Sequence, residues 1–236
     1  MVVDRPEIEL LLSCARIRKD SESVSQITSR LQGDMDWAYL LRTARRHGMM
    51  PLLYWPLSTT CPEAVLQAIL NQLRNQLHRN AHRDLVLTAE LLKLLVLCEA
   101  QGIPAISYKG PTLAALAYGN LSLENLLLVR CAHGSKHLWE RLGWICDVAE
   151  LIHARKEMDW ERVTEQAAAL GGERRFFLGL YLASDLLGAP LPREVLHKAE
   201  ADPTVKVLAR EAHEWLSWGL IVHHLWPLAK YPSTSG

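Results

Sequence analysis

Residues 102–120 read GIPAISYKGPTLAALAYGN, and their pattern is strand, tight turn, then helix, while the rest of the chain reads as helix. Gly102 can close the preceding helix in a left-handed conformation and Pro104 cannot continue it, so Ile103 to Tyr108 starts cleanly as a short extended run. Lys109-Gly110-Pro111 makes the turn. Thr112 then caps a helix carrying Leu113, Leu116 and Ala117 until Gly119-Asn120 stops it. A buried strand that delivers a Lys-Gly turn to a helix N-terminus suits phosphate, because backbone N–H groups and the helix dipole both favour an anion there. The plain alternative is a turn with an exposed lysine.

Working outward, the 236 residues are enough for one large domain or two small ones. A chain that is 49% hydrophobic and 22% charged is a folded one. Lys plus Arg equals Asp plus Glu at 26 each, so no basic excess points to nucleic acid or an anionic membrane. The five cysteines, Cys14, Cys61, Cys98, Cys131 and Cys146, form no C-x-x-C pair and read as reduced thiols, which places the expectation in the cytoplasm. Asp4-Arg5-Pro6-Glu7 stands where a signal peptide needs an apolar run. The longest apolar candidate, Trp215 to Ala229, holds His223, His224 and Pro227 and is read as a buried or interfacial helix.

N-terminal to the central stretch, Glu7–Lys19 and a second short helix to Leu31 read as packing elements. Asp34 or Asp36 can cap a helix whose stripe is Trp37, Leu40, Leu41 and Ala44. Arg45, Arg46 and His47 in its last turn complement the helix dipole. Met49 to Pro56 reads as an apolar connector. From Pro62 a long helical pattern runs to about Gln101, with a polar, cationic middle at His78 to Arg83 read as a solvated face. C-terminal to the stretch, Ser122 can cap a helix that runs on through His133, Lys136, His137, Glu140 and Arg141 toward Trp144, Asp147 and Leu151. Helical pairs end at Gly171-Gly172 and Gly188, and Pro192–Ala201 and Thr204–Leu228 follow.

His133-x-x-x-His137 has the spacing that sets two imidazoles on one helical face, as zinc sites require, but a third ligand is not evident. Polar packing or contact with substrate is the better reading for His133, Lys136, His137 and Asp147, with Asp147 paired to Lys136 or Arg141. Cys98 and Cys146 sit at apolar helical positions, where a thiol is inert core.

Pro6-Glu-Ile-Glu-Leu-Leu-Leu-Ser-Cys, Asp36-Trp with Leu40-Leu41, His47-Gly48 before Pro51-Leu-Leu-Tyr, Gly102-Ile-Pro, Lys109-Gly-Pro-Thr-Leu and Tyr118-Gly-Asn-Leu together resemble the bacterial uncharacterised nucleotidyltransferases related to polymerase beta. His133-Gly-Ser-Lys-His-Leu-Trp-Glu-Arg-Leu and Trp144-Ile-Cys-Asp147 are similar to the helical part of the same proteins. The resemblance implies transfer of a nucleoside monophosphate from NTP to an acceptor, with the strand and turn at Ile106 to Gly110 holding the triphosphate. Lys109 would contact phosphate and Gly110 would allow close backbone approach. It also implies a following strand with a D-x-D pair that ligates magnesium.

Here the pattern departs, because Leu121-Ser-Leu runs directly into Glu124-Asn-Leu-Leu-Leu-Val. Acidic i, i+2 pairs occur at Glu7/Glu9, Asp20/Glu22, Asp34/Asp36, Glu157/Asp159, Asp159/Glu161 and Glu200/Asp202, and none lies on an apolar strand after the Lys109 turn. Magnesium and NTP are therefore implied by the family alone. The expected fold is mainly α, a helical chain with a residual strand-turn-helix of a nucleotidyltransferase core. Its regions are 1–101 (helical), 102–121 (the residual core), 122–230 (helical) and 231–236 (a tail). The expected function is that of a nucleotidyltransferase relative, inactive or incomplete as this chain; the alternative is a catalytically dead helical interaction protein. Expected partners are a nucleotide, a second copy or another protein, with no nucleic acid and no membrane.

Overall fold

The computed structural model describes residues 5–16, 21–31, 33–60, 62–105, 122–154 and 158–221. Within them lie eleven α-helices, one 3-10 turn and no strand, so the chain is mainly α as expected. Gly102 to Ala105 carries no regular structure, and the expected turn at Lys109-Gly110 and the helix after it lie outside the described residues, as does the tail.

The N-terminal part begins with α1 (Pro6–Ala15), which has Pro6 in its first turn and buries Leu10, Leu11 and Cys14. Against it packs α2 (Ser21–Leu31), fastened by Arg30, which donates to Glu9 O at 2.9 Å and Ser13 Oγ at 2.7 Å and pairs with the Glu9 carboxylate at 3.1 Å. Asp36 caps α3 (Trp37–Arg46): its Oδ1 accepts from Tyr39 N at 2.9 Å, as its position predicts.

Two expectations need correction in the next stretch. Met49 to Pro56 is no connector, because Met50–Thr60 forms α4 with Pro56 inside it. Pro51 sits in the first turn, where a missing N–H costs nothing, and Pro56 forfeits one hydrogen bond while Leu53 and Leu57 on either side become fully buried. Pro62 opens a 3-10 turn (Pro62–Ala64) rather than the long helix, which starts two residues after that turn. That helix, α5 (Gln67–Ala100), has 34 residues and closes as the sequence predicts. Gly102 takes φ +68° and Ile103 N donates to Cys98 O at 2.8 Å, a left-handed cap that satisfies the last carbonyls.

The C-terminal part is α6 (Leu123–Lys136), α7 (Leu142–Ala154), α8 (Trp160–Ala169), α9 (Glu173–Leu187), α10 (Arg193–Ala201) and α11 (Pro203–Ile221). Ser122 caps α6 by accepting from Asn125 N, and Asp159 caps α8 by accepting from Arg162 N at 3.0 Å. Helix α9 is apolar on most of its circumference and is accordingly the centre, burying Phe176, Phe177, Leu180, Leu182, Ala183 and Leu187 against α6, α7, α8, α10 and α11. It also touches α1, and one continuous core runs through both parts. Among the described residues no helix is long and apolar enough to cross a membrane.

Candidate functional site

The helix expected to run unbroken through residues 133–151 is broken. His137 caps the end of α6, the turn runs over residues 137–139, Glu140 and Arg141 carry no regular structure, and Leu142 starts α7. Leu138 and Trp139 both take left-handed backbone conformations, φ 55° and 52°, which cost non-glycine residues about 1–3 kcal/mol each. The cause is the Trp139 side chain, which the turn drives into the core until only 1% is exposed. Burying an indole returns several kcal/mol, enough to hold the turn. Two glycines make the space: a Cβ on Gly134 would stand 2.3 Å from the indole, and one on Gly179 would meet both Cys131 Sγ at 2.6 Å and the indole at 3.0 Å. Sequence spacing cannot reveal this socket, because Gly179 lies on another helix.

The turn places Glu140 and Arg141 off any shared helical face with His133 and His137, contrary to the sequence expectation. It still assembles a cluster. The i, i+4 spacing brings the His133 and His137 rings to 4.7 Å, edge to face, and the Trp144 indole packs on both at 5.2 and 5.3 Å. Arg141 lies over that indole, 5.5 Å from its centroid. Lys136 is exposed in the last turn of α6, where a cation complements the negative end of the helix. The arrangement is an aromatic surface edged by cations.

Asp147 does not pair with Lys136 or Arg141. It pairs with Arg130, about two turns into α6, at 3.2 Å, because the break in the helix carries Arg141 away toward Trp144. Burial raises the Asp147 carboxyl above the usual carboxylate range against the pull of Arg130. Glu150 is raised as well, by burial and then by the Asp147 charge. Beside the turn a cavity of about 400 Å³ opens between α6, α9 and α11, lined by Ser135, Leu138, Trp139, Arg174, Arg175 and Trp215 among others. Arg174 is already engaged, donating from Nε to Asp202 at 3.0 Å.

His47 departs from the expectation that it adds positive charge beside Arg45 and Arg46 at the end of α3: it is 3% exposed and neutral, because burial, and then the charges of Arg46 and Arg141, lower its pKa to about 4. Its Nδ1 accepts from Leu142 N at 3.3 Å and its carbonyl accepts from Gly143 N at 2.9 Å, so His47 docks the start of α7 on the N-terminal part. Cys146 adds a contact from α7 to Met49 at 3.6 Å. Burial pushes the thiols of Cys131 and Cys146 up, which keeps Cys146 protonated and inert as its apolar position suggested.

No acidic i, i+2 pair whose two members are both described presents two unengaged carboxylates to a pair of magnesium ions. Such a site needs two or more carboxylates converging with free lone pairs. Glu7 accepts from Asp36 N at 3.0 Å, Glu9 pairs with Arg30, Asp36 and Asp159 cap helices, and Asp202 holds Arg174 and Thr204 N. Among the described residues no group of three or more His, Cys, Asp or Glu could hold a metal ion. Lys109 and Gly110 lie outside the described residues.

No curated protein matches the chain, and no solved structure does. The family described as uncharacterised nucleotidyltransferase does match, over residues 33–123 and 120–188, two blocks that meet where Leu121-Ser-Leu joins the Lys109 stretch to α6. The match takes in α3 to α5, Lys109 and Gly110, and the His133–Asp147 surface, and the chain belongs to the uncharacterised nucleotidyltransferase family.

Proposed function

We propose that this chain is a nucleotidyltransferase relative that holds a nucleoside triphosphate at the Lys109-Gly110 corner and cannot by itself transfer the nucleoside monophosphate. The observation that carries the reading is the engagement of the carboxylates. Every acidic i, i+2 pair with both members described has at least one of its carboxylates spent on a cap, an arginine or a backbone N–H. The two blocks of the family match meet at residues 120–123, the place where the family's D-x-D strand is expected. Phosphoryl chemistry is mostly electrostatic, so a chain without that pair lacks the largest contribution to rate.

What remains is recognition. Lys109 contacts phosphate and Gly110 admits the backbone; His133, His137 and Lys136 offer rings and a cation to the rest of the ligand. Asp147, engaged by Arg130, orients α6 on α7. The absence of any C-x-x-C pair among the five cysteines supports a cytoplasmic setting. The test is a thermal melt with a panel of nucleoside triphosphates, alongside an assay for pyrophosphate release. A ligand at a hundred times its dissociation constant adds about 2.7 kcal/mol, a clear rise in Tm. The expected result is a rise with triphosphate, abolished by Lys109→Ala, with no pyrophosphate released. A melt unmoved by every nucleotide leaves the second reading, an interaction protein without nucleotide, which the exposed apolar surface of α5 favours.

A further inference from the structure

Helix α5 changes character along its length. Its first turns are anchored: Leu70 and Leu73 are buried, and the helix packs there on α4. After the polar stretch His78 to Arg83 it becomes apolar on every side, with Leu85, Val86, Leu87, Leu91, Leu92, Leu94, Leu95, Val96 and Leu97 in thirteen consecutive positions. A helix apolar all round belongs in an interior. Yet Leu85 is 71% exposed, Val96 63%, Leu97 61% and Leu94 58%, and Val86, Leu87 and Leu92 are exposed as well. Seven large apolar side chains are thus exposed along one stretch of helix, the kind of contiguous patch that marks an interaction site.

We infer that the second half of α5 is covered by the same segment of a second copy of this chain. Two observations choose that occupant. Leu85, Ala89, Leu92 and Val96 stand at i, i+4, i+7 and i+11, the spacing of a helix-pairing seam, and Ala89 in its middle lets two helix axes approach closely. Over Leu85–Cys98 the charged residues are Glu90 and Lys93, and they neutralise each other at 2.8 Å. The surface therefore neither repels its own copy nor selects a charged partner, which argues against nucleic acid and anionic lipid. The inference does not depend on nucleotide binding and stands or falls separately from it.

The test is the mass of the full-length chain in solution by light scattering, with the variant L85E/L92E beside it. The expected result is twice the chain mass of 26.7 kDa for the unaltered protein. The variant falls to the single-chain mass with its far-ultraviolet helix signal kept, since neither side chain belongs to the core, and its dissociation constant weakens roughly a hundredfold or more. Should the variant fold poorly, Ala89→Cys supplies a second reading: mild oxidation gives a disulfide-linked pair of chains that the unaltered protein does not give. A single-chain mass at tens of micromolar overturns the inference. So does a dimer indifferent to L85E/L92E, a failure of Ala89→Cys to cross-link, or a monomer that instead sediments with phosphatidylcholine vesicles.

Discussion

His47 Nδ1 accepts the backbone N–H of Leu142 at a separation of 95 residues, and this buried bond joins the N-terminal helices to α7. The bond requires the neutral ring. The folded pKa of about 4 lies below the unfolded value of 6.5, so the unfolded chain binds a proton that the folded chain refuses. Stability from this group is fully present above pH 6.5 and is lost as pH falls toward 4, by on the order of 3 kcal/mol. Denaturant melts from pH 7.5 to 4 check this. His47→Phe is expected to flatten that slope and to cost about 1–3 kcal/mol at pH 7.5 through the unpaired Leu142 N–H.

Gly143 takes part in the same joint. A Cβ there would stand 2.7 Å from the His47 carbonyl oxygen, a backbone atom that cannot rotate away. Gly143→Ala is expected to destabilise by about 1–3 kcal/mol. Gly33→Ala, whose Cβ would meet only Arg30 O at an ordinary 3.6 Å, is the control and is expected to leave the midpoint within about 0.5 kcal/mol.

Asp36 distinguishes a cap from a ligand. Removing it exposes the first N–H groups of α3, so Asp36→Ala is expected to cost about 1 kcal/mol of stability. Nucleotide-induced stabilisation is expected to be unchanged in the same variant. Loss of the nucleotide response with an unshifted midpoint would assign Asp36 to ligand binding instead.

Arg130 and Asp147 form a half-buried pair, with 31% and 42% of their side chains exposed. Solvent screens it, so a double-mutant cycle of Arg130→Met and Asp147→Asn is expected to return about 1 kcal/mol or less. Raising the pH through the carboxylate range should sharpen the loss in Arg130→Met, because the variant leaves the already raised Asp147 without its cation.

Local signals were legible in the chain and distant ones were not. Gly102, Gly171 and Gly188 end helices with positive φ where the sequence places them, and Asp36 caps, because a glycine stop and a cap act within one turn. Pro56 misleads, since the burial of Leu53 and Leu57 that tolerates it is a tertiary gain. His47 misleads for the same reason: its neutrality comes from the α7 backbone packed over it. In the candidate site, the His133–His137 pairing follows from spacing alone. The partners Trp144 and Arg130 do not, because the helix break that selects them is set by where Trp139 finds room.

Trp139, Gly134 and Gly179 consequently behave as one inherited unit. With the indole present, an alanine at 134 or 179 is damaging. With a small residue at 139, an alanine at 134 loses its clash and fills part of the void, whereas an alanine at 179 still meets Cys131 Sγ at 2.6 Å. The order in which substitutions arrive at Gly134 and Trp139 therefore decides whether each is tolerated.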